Sequence, residues 1–284
     1  MNKTLIADSG STKTHWVFAN SQNEKEDYYS SGINPYFMNN AQIIELVNEI
    51  FSYTDKQEIS NVYFYGAGCE SDDKCGIVRD SLQLCFPNAN IFVAEDLLAS
   101  ARALFGNGKG VACILGTGSN AAVFDGNDFT SKIDSLGYLL GDEGSGAYIG
   151  KQLLMDYYRK IMPLELRQSF QKEFNIKLGD VLDRVYKQES PNRYVASFAV
   201  FVSKHSDNEY IKAVTINAID DFIKYQLGVI EFDKEKYELG FIGSISYYLK
   251  DILEQRLSLS GYKIAKIIKA PINDLVNYHL EFST

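Results

Sequence analysis

Asp8-Ser9-Gly10-Ser11-Thr12-Lys13-Thr14 stands between two apolar runs, Thr4-Leu5-Ile6-Ala7 and His15-Trp16-Val17-Phe18-Ala19. Short β-rich runs joined by Gly, Ser and Asp predict a β-hairpin with a tight polar tip. Such a tip can turn several backbone N–H groups and two or three hydroxyls toward one point. An anionic phosphate needs that chemistry, and Lys13 would add positive charge at the rim. An ordinary hairpin turn would read the same way if it stood alone.

It does not stand alone. Val111-Ala112-Cys113-Ile114-Leu115 runs into Gly116-Thr117-Gly118-Ser119-Asn120 and then Ala121-Ala122-Val123-Phe124. Strand, Gly/Ser/Thr turn and strand recur about one domain later, which predicts two similar lobes that each offer a hairpin tip to a shared nucleotide cleft. No G-x-x-x-x-G-K-[ST] occurs, so a P-loop is excluded. Gly116 to Ala121 fits G-x-G-x-x-A, but that fingerprint requires a helix straight after the glycines. Ala121-Ala122-Val123-Phe124 reads as strand, so the match is false.

The chain has 284 residues and a net charge of −9, enough for one large or two smaller domains. It has no basic block, which argues against nucleic acid and anionic membrane as partners. ATP stays compatible, because a few amides, one Lys and Mg²⁺ can offset a negative global field. Asp8 interrupts the first apolar run and no apolar segment of about 20 residues occurs, so neither a secretory signal nor a membrane span is expected. Cys69, Cys75, Cys85 and Cys113 form no C-x-x-C, and His15, His205 and His279 are unpaired at metal spacing. Reduced thiols in a cytoplasmic protein without structural zinc are expected.

Read in order, the first lobe is β-β-α-β-α-β-α over residues 1–106, and glycine-rich 106–110 is the hinge. Residues 107–269 form the second lobe: a hairpin, a helix near 147–160, a helical layer to 227, a strand at 237–242, a helix and a strand near 262–268. The terminal helix, 270–284, is expected to pack back on the first lobe.

D-S-G-S-T-K-T, L-G-T-G-S-N, L-G-D-E-G-S-G and the late F-I-G-S, in this order over nearly the whole chain, resemble the sugar-kinase/Hsp70/actin superfamily. Within it they resemble the BadF/BadG/BcrA/BcrD-type ATPases, specifically the N-acetylglucosamine-kinase-like members. The resemblance implies an α/β, two-lobed actin-like ATPase fold of ribonuclease H-like lobes, with ATP and Mg²⁺ in the cleft. It implies that Asp8 holds Mg²⁺ and that Gly10, Ser11, Thr12 and Lys13 sit near the β- and γ-phosphates. Gly116, Thr117 and Gly118 would form the second phosphate loop, and Gly243 and Ser244 the adenosine contact, with Ser244 replacing a more usual Gly. Asn34, Asn120 and Asp142 match sugar-contacting positions, and Asp96 matches the catalytic base. Ser135-Leu136-Gly137 replaces the G-W-G of many members, which bears on amino-sugar specificity; Gly137 keeps its place at the sugar site.

Two of these residues also have plainer readings. Asp96, before Leu97-Leu98-Ala99, would serve as a helix N-cap, and so would Asp142 before the next helix. Asn34 before Pro35 is also a common turn former.

The leading expectation is a kinase acting on a hydroxyl of N-acetylglucosamine or a related amino sugar, with Asp96 accepting the hydroxyl proton. An ATPase activator of a 2-hydroxyacyl-CoA dehydratase or benzoyl-CoA reductase system is the alternative. Its paired cysteines should follow the Asp96 position, where only Cys113 occurs. A nucleotide- or sugar-binding regulator is a third reading, without the helix-turn-helix that such repressors carry. A homodimer stays open.

Overall fold

The structure is a computed structural model that describes residues 3–10, 13–20, 24–188 and 190–282. The chain divides into two compact units, residues 1–107 with 271–284, and residues 108–270.

In the first unit β1 (Lys3–Ser9) and β2 (Lys13–Asn20) form the antiparallel hairpin, with Asp8 opposite His15 and Ser9 opposite Thr14. A strand absent from the sequence reading, β3 (Lys25–Ser31), then adds to β2. Its sequence, KEDYYSS, is charged and mostly exposed, as an edge strand permits. Strands β4 (Ile59–Gly66) and β5 (Asn90–Glu95) run parallel to β1, giving the order β3-β2-β1-β4-β5.

Helix 40–50 starts with a capping box in which Asn39 accepts from the Gln42 N–H. With helix 72–85 it buries Ile43, Val47, Val78 and Leu82 in one cluster with Leu5, Trp16, Val62 and Phe64. Helices 96–105 and 272–282 pack on each other and on β1. A short helix, 53–58, was also absent from the sequence reading.

The second unit repeats the plan. Strands β6 (Gly110–Leu115), β7 (Ser119–Phe124) and β8 (Phe129–Lys132) are antiparallel neighbours. Strands β9 (Leu239–Ile242) and β10 (Ile264–Ile268) extend the sheet in parallel on the other side of β6. The order β8-β7-β6-β9-β10 is therefore the first sheet's order repeated. This is the ribonuclease H-like arrangement of actin-like ATPases. The edge strand β8 is the second unit's unread strand.

A helical layer occupies most of 164–225 and has its own core, with Leu153, Phe170, Phe198, Phe201 and Ile211 fully or nearly fully buried. The expected helix after Phe241-Ile242 is two helices, 244–248 and 250–259, broken at Leu249. No helix among the described residues is long and apolar enough to cross a membrane. All four cysteines are free and buried.

Candidate functional site

In the first unit Ser9, Gly66 and Glu95 stand in register at the ends of β1, β4 and β5. All three strands run parallel, so Asp8 and Asp96 emerge at one sheet edge, the carboxyl ends where ligands bind in open α/β sheets. Burial and then the neighbouring Asp96 charge push the Asp8 carboxyl up to about 7, against a pull from Lys13. Burial, then Glu95 and Glu70, push Asp96 up to about 6, while backbone N–H groups of Leu97 and Asp96 itself pull it down.

Asp96 is not the N-cap of its helix. Glu95 holds that place without a side-chain cap bond, and Asp96 is the first helical residue. Its carboxylate interacts with the backbone N–H groups of Leu97 and of Asp96 itself at the start of that helix.

The hairpin tip is braced from within. Ser9 Oγ and Thr14 Oγ1 are 2.7 Å apart, and Ser9 Oγ also accepts the Ile33 N–H at 3.0 Å. The second bond ties the tip to the segment that presents Asn34, a role for Ser9 that sequence reading missed. Gly10 donates its N–H to the Lys13 carbonyl at 3.1 Å. Asn34 is buried, and its Oδ1 accepts the Tyr36 N–H at 2.9 Å. Gly68, at φ +84, lies against it: a Cβ there would stand 2.6 Å from Asn34 Oδ1. Ser11 and Thr12 lie outside the described residues.

In the second unit the carbonyls of Gly116 and Thr117 accept the N–H groups of Gly146 and Ala147, at 2.8 and 3.0 Å. The loop is thereby fixed to the first turn of helix 146–158. That helix is capped by Ser145, whose Oγ accepts from Tyr148, so Asp142 is not a cap either. Asp142 instead turns its Oδ1 to the Ser119 N–H at 3.1 Å, from a left-handed backbone at φ 57. Asp is among the few residues that adopt that region readily. Burial raises its carboxyl pKa.

Gly137, at φ +66, starts the short turn 137–140 that leads into this loop. Asn120, on β7, turns its Oδ1 onto the Ala121 N–H at 2.8 Å. Gly243, at φ +131, lies on the end of β6, where a Cβ would come within 2.2 Å of the Leu115 carbonyl oxygen. Ser244 is exposed and begins helix 244–248. The structure thus gathers Gly116, Gly118, Asp142 and Gly243 about the end of β6, and Asp8 and Asp96 about one edge of the first sheet.

Sequence reading missed a third group in the second unit. Gln226 Nε2 donates to Ser119 Oγ at 2.9 Å and to Glu143 Oε2 at 3.0 Å, joining residues 107 and 83 positions away. No local motif spans such separations. An amide at the end of an otherwise amphipathic helix was the only available signal.

Oxygen-only chemistry at Asp8 and Asp96 suits Mg²⁺. Among the described residues no group of three or more His, Cys, Asp or Glu could hold a metal. Mg²⁺ is commonly held by one or two carboxylates plus substrate phosphates rather than by an all-protein cage. Two raised, mutually repelling carboxyls are the groups whose ionised form a cation would stabilise.

No protein-family model matches this chain, and no match was found among curated proteins. Solved structures do match. A candidate N-acetylglucosamine kinase from Porphyromonas gingivalis is 33% identical over 99% of this chain and 100% of its own, with a TM-score of 0.92. A second candidate N-acetylglucosamine kinase, from Chromobacterium violaceum, is 14% identical over 98% and 99%, with a TM-score of 0.74. A candidate N-acetylmannosamine kinase from Listeria monocytogenes is 11% identical over 99% and 100%, with a TM-score of 0.56. The last two likenesses speak to the fold alone. Shared motifs, a repeated sheet order and one full-length relative at this identity together make the chain a member of the BadF/BadG/BcrA/BcrD-type ATPase family, among its N-acetylglucosamine-kinase-like proteins.

Proposed function

We propose that this protein is an ATP-dependent sugar kinase that transfers the γ-phosphoryl group to a hydroxyl of N-acetylglucosamine or a closely related amino sugar. The observation that carries the reading is the Asp8–Asp96 pair, two raised carboxyls at one sheet edge beside a glycine- and hydroxyl-rich hairpin tip. The description of the Porphyromonas gingivalis relative supports the acceptor class.

Phosphoryl transfer needs positioning, charge neutralisation and a group to accept the hydroxyl proton. Asp96 takes that proton. A carboxyl titrating near 6 is mostly ionised at neutral pH yet basic enough to hold the proton. Asp8 is the residue that would hold Mg²⁺, which supplies charge neutralisation at the phosphates when bound. Gly10, Lys13 and the undescribed Ser11 and Thr12 are assigned to the β- and γ-phosphates. Gly116, Thr117 and Gly118 are assigned to the second phosphate loop, and Gly243 and Ser244 to the adenosine. Asn34, Asn120, Gly137 and Asp142 orient the acceptor.

Incubation with Mg-ATP and a sugar panel tests this directly. Sugar phosphate formed on N-acetylglucosamine is the expected product. ADP formed at the same rate whether or not any sugar is present would overturn the proposal.

A further inference from the structure

Lys74 stands where a helix least favours a cation. Ser71 caps helix 72–85 and accepts the Lys74 N–H at 3.4 Å, so Lys74 lies in the first turn. A capping box would put Glu or Gln at that place, and the positive end of the helix dipole disfavours an ammonium there. Asp72 and Asp73 in the same turn keep that rule. A residue that breaks a local rule its neighbours keep points to a task elsewhere.

Its contacts show the task. The half-buried Lys74 donates from Nζ to the Pro35 carbonyl at 3.3 Å, and its ammonium lies 4.2 Å from the centre of the Tyr36 ring. Pro35 and Tyr36 belong to the turn that carries Asn34. The Asn34 carbonyl accepts the N–H groups of Phe37 and Met38, both at 3.0 Å, and its Oδ1 accepts the Tyr36 N–H. Backbone and side chain of Asn34 are thus tied into one turn, so a group that fixes Pro35 and Tyr36 also fixes Asn34. Gly68 packs against the same turn, where a Cβ would stand 2.6 Å from Asn34 Oδ1 and 3.0 Å from Tyr36 Cδ2.

We infer that Lys74 is a positioning residue that clamps the turn 34–36 onto helix 72–85 and so holds Asn34 in place for the acceptor sugar. The inference rests on the sugar-kinase reading, in which Asn34 orients the acceptor, and adds a residue that acts through Asn34.

Steady-state kinetics of Lys74→Met and Lys74→Arg with Mg-ATP and N-acetylglucosamine test it. Met is as good a helix former as Lys but donates nothing to the Pro35 carbonyl. In Lys74→Met, kcat/KM for the sugar should fall about tenfold or more, while KM for ATP stays within about twofold of wild type. Arg keeps the donor and the charge over the ring, and should recover most of the loss. A merely structural role would lower the melting temperature and move the sugar and ATP parameters together. An unchanged kcat/KM for the sugar in Lys74→Met, a parallel loss for ATP, a chain that no longer folds, or no recovery in Lys74→Arg overturns the assignment. Should the wild type phosphorylate no sugar, the kinase reading falls separately, and hydrogen exchange decides the clamp. Faster exchange of the Phe37 and Met38 amides in Lys74→Met, with helix 72–85 unchanged, supports it, and any other pattern overturns it.

Discussion

Asp142 closes over Gly118 so tightly that a Cβ at residue 118 would lie 2.9 and 3.1 Å from the two carboxylate oxygens. The same carboxylate accepts the Ser119 N–H at 3.1 Å. The second hairpin tip and the loop around Asp142 therefore fit together only while residue 118 has no side chain. Gly116, two residues earlier, has nothing within 4 Å of its own Cβ position.

The pair gives a controlled comparison. Gly118→Ala should push Asp142 off its bond and lower unfolding free energy by about 1–3 kcal/mol, with activity falling as well. Gly116→Ala should stay within about 1 kcal/mol of wild type. Urea melts of the two variants check this, and equal stabilities would mean that the Gly118–Asp142 contact is loose.

Asp96→Asn separates catalysis from folding. Asp96 is the first helical residue and carries a carboxyl raised by burial and by neighbouring acids, so a neutral amide relieves repulsion there. Transfer should slow by a factor of about 100 or more, while the melting temperature stays level or rises. Near-normal turnover in the folded variant would remove Asp96 from the proton transfer.

The two hairpins were legible because glycine and hydroxyl residues between apolar runs can do little else than turn. The edge strands β3 and β8 were not. Lys25–Ser31 is almost wholly polar and exposed, and what makes it a strand is its pairing with β2, a non-local cause. Capping statistics pointed to Asp96 and Asp142, yet Glu95 and Ser145 hold the N-cap positions. Asp96 misses the cap by one residue, within the ordinary uncertainty of helix ends, whereas Asp142 misses it by three and accepts the Ser119 N–H instead. The Gln226 bridge was invisible because burial, not spacing, makes its amide significant.

Acid should weaken the seat of the last helix through His279. Its ring stacks on Tyr63 at 3.6 Å and its Nε2 lies 2.8 Å from the Tyr65 hydroxyl, to which Arg102 donates. Burial, helped by the Arg102 charge, lowers the imidazole pKa to about 3. The unfolded chain, with an ordinary histidine near 6.5, thus binds the proton that the folded chain refuses between about pH 6.5 and 3. His279 contributes its full stabilisation above that window and loses it as pH falls through it. Asp8 and Asp96 titrate with the opposite sign over part of this range, so the wild-type curve alone mixes the effects. The difference between wild type and His279→Phe isolates the histidine. Wild type should lose up to about 1.4 kcal/mol per pH unit relative to the variant on acidification below 6.5. A pH-independent difference would mean that His279 takes up its proton alike in the folded and unfolded chain and is not desolvated by the fold.

Gly243 should be the least replaceable glycine of the second unit. Strand β9 runs beside β6, with Ile242 paired to Ile114, so residue 243 meets the backbone at the turn out of β6. Its φ of +131 and ψ of 162 belong to a region that is essentially restricted to glycine. A Cβ there would also lie 2.2 Å from the Leu115 carbonyl oxygen and 2.9 Å from the Gly116 nitrogen. Both neighbours are backbone, so relief requires moving a strand end rather than turning a side chain. Conformational strain and overpacking add, and Gly243→Ala should cost more than about 3 kcal/mol. The adjacent Ser244 is exposed and begins a helix, so Ser244→Gly should change stability by no more than about 1 kcal/mol. Urea melts that ranked the two substitutions equally would show that the end of β6 yields freely, and the loop at Gly116 to Gly118 would then lack a rigid seat.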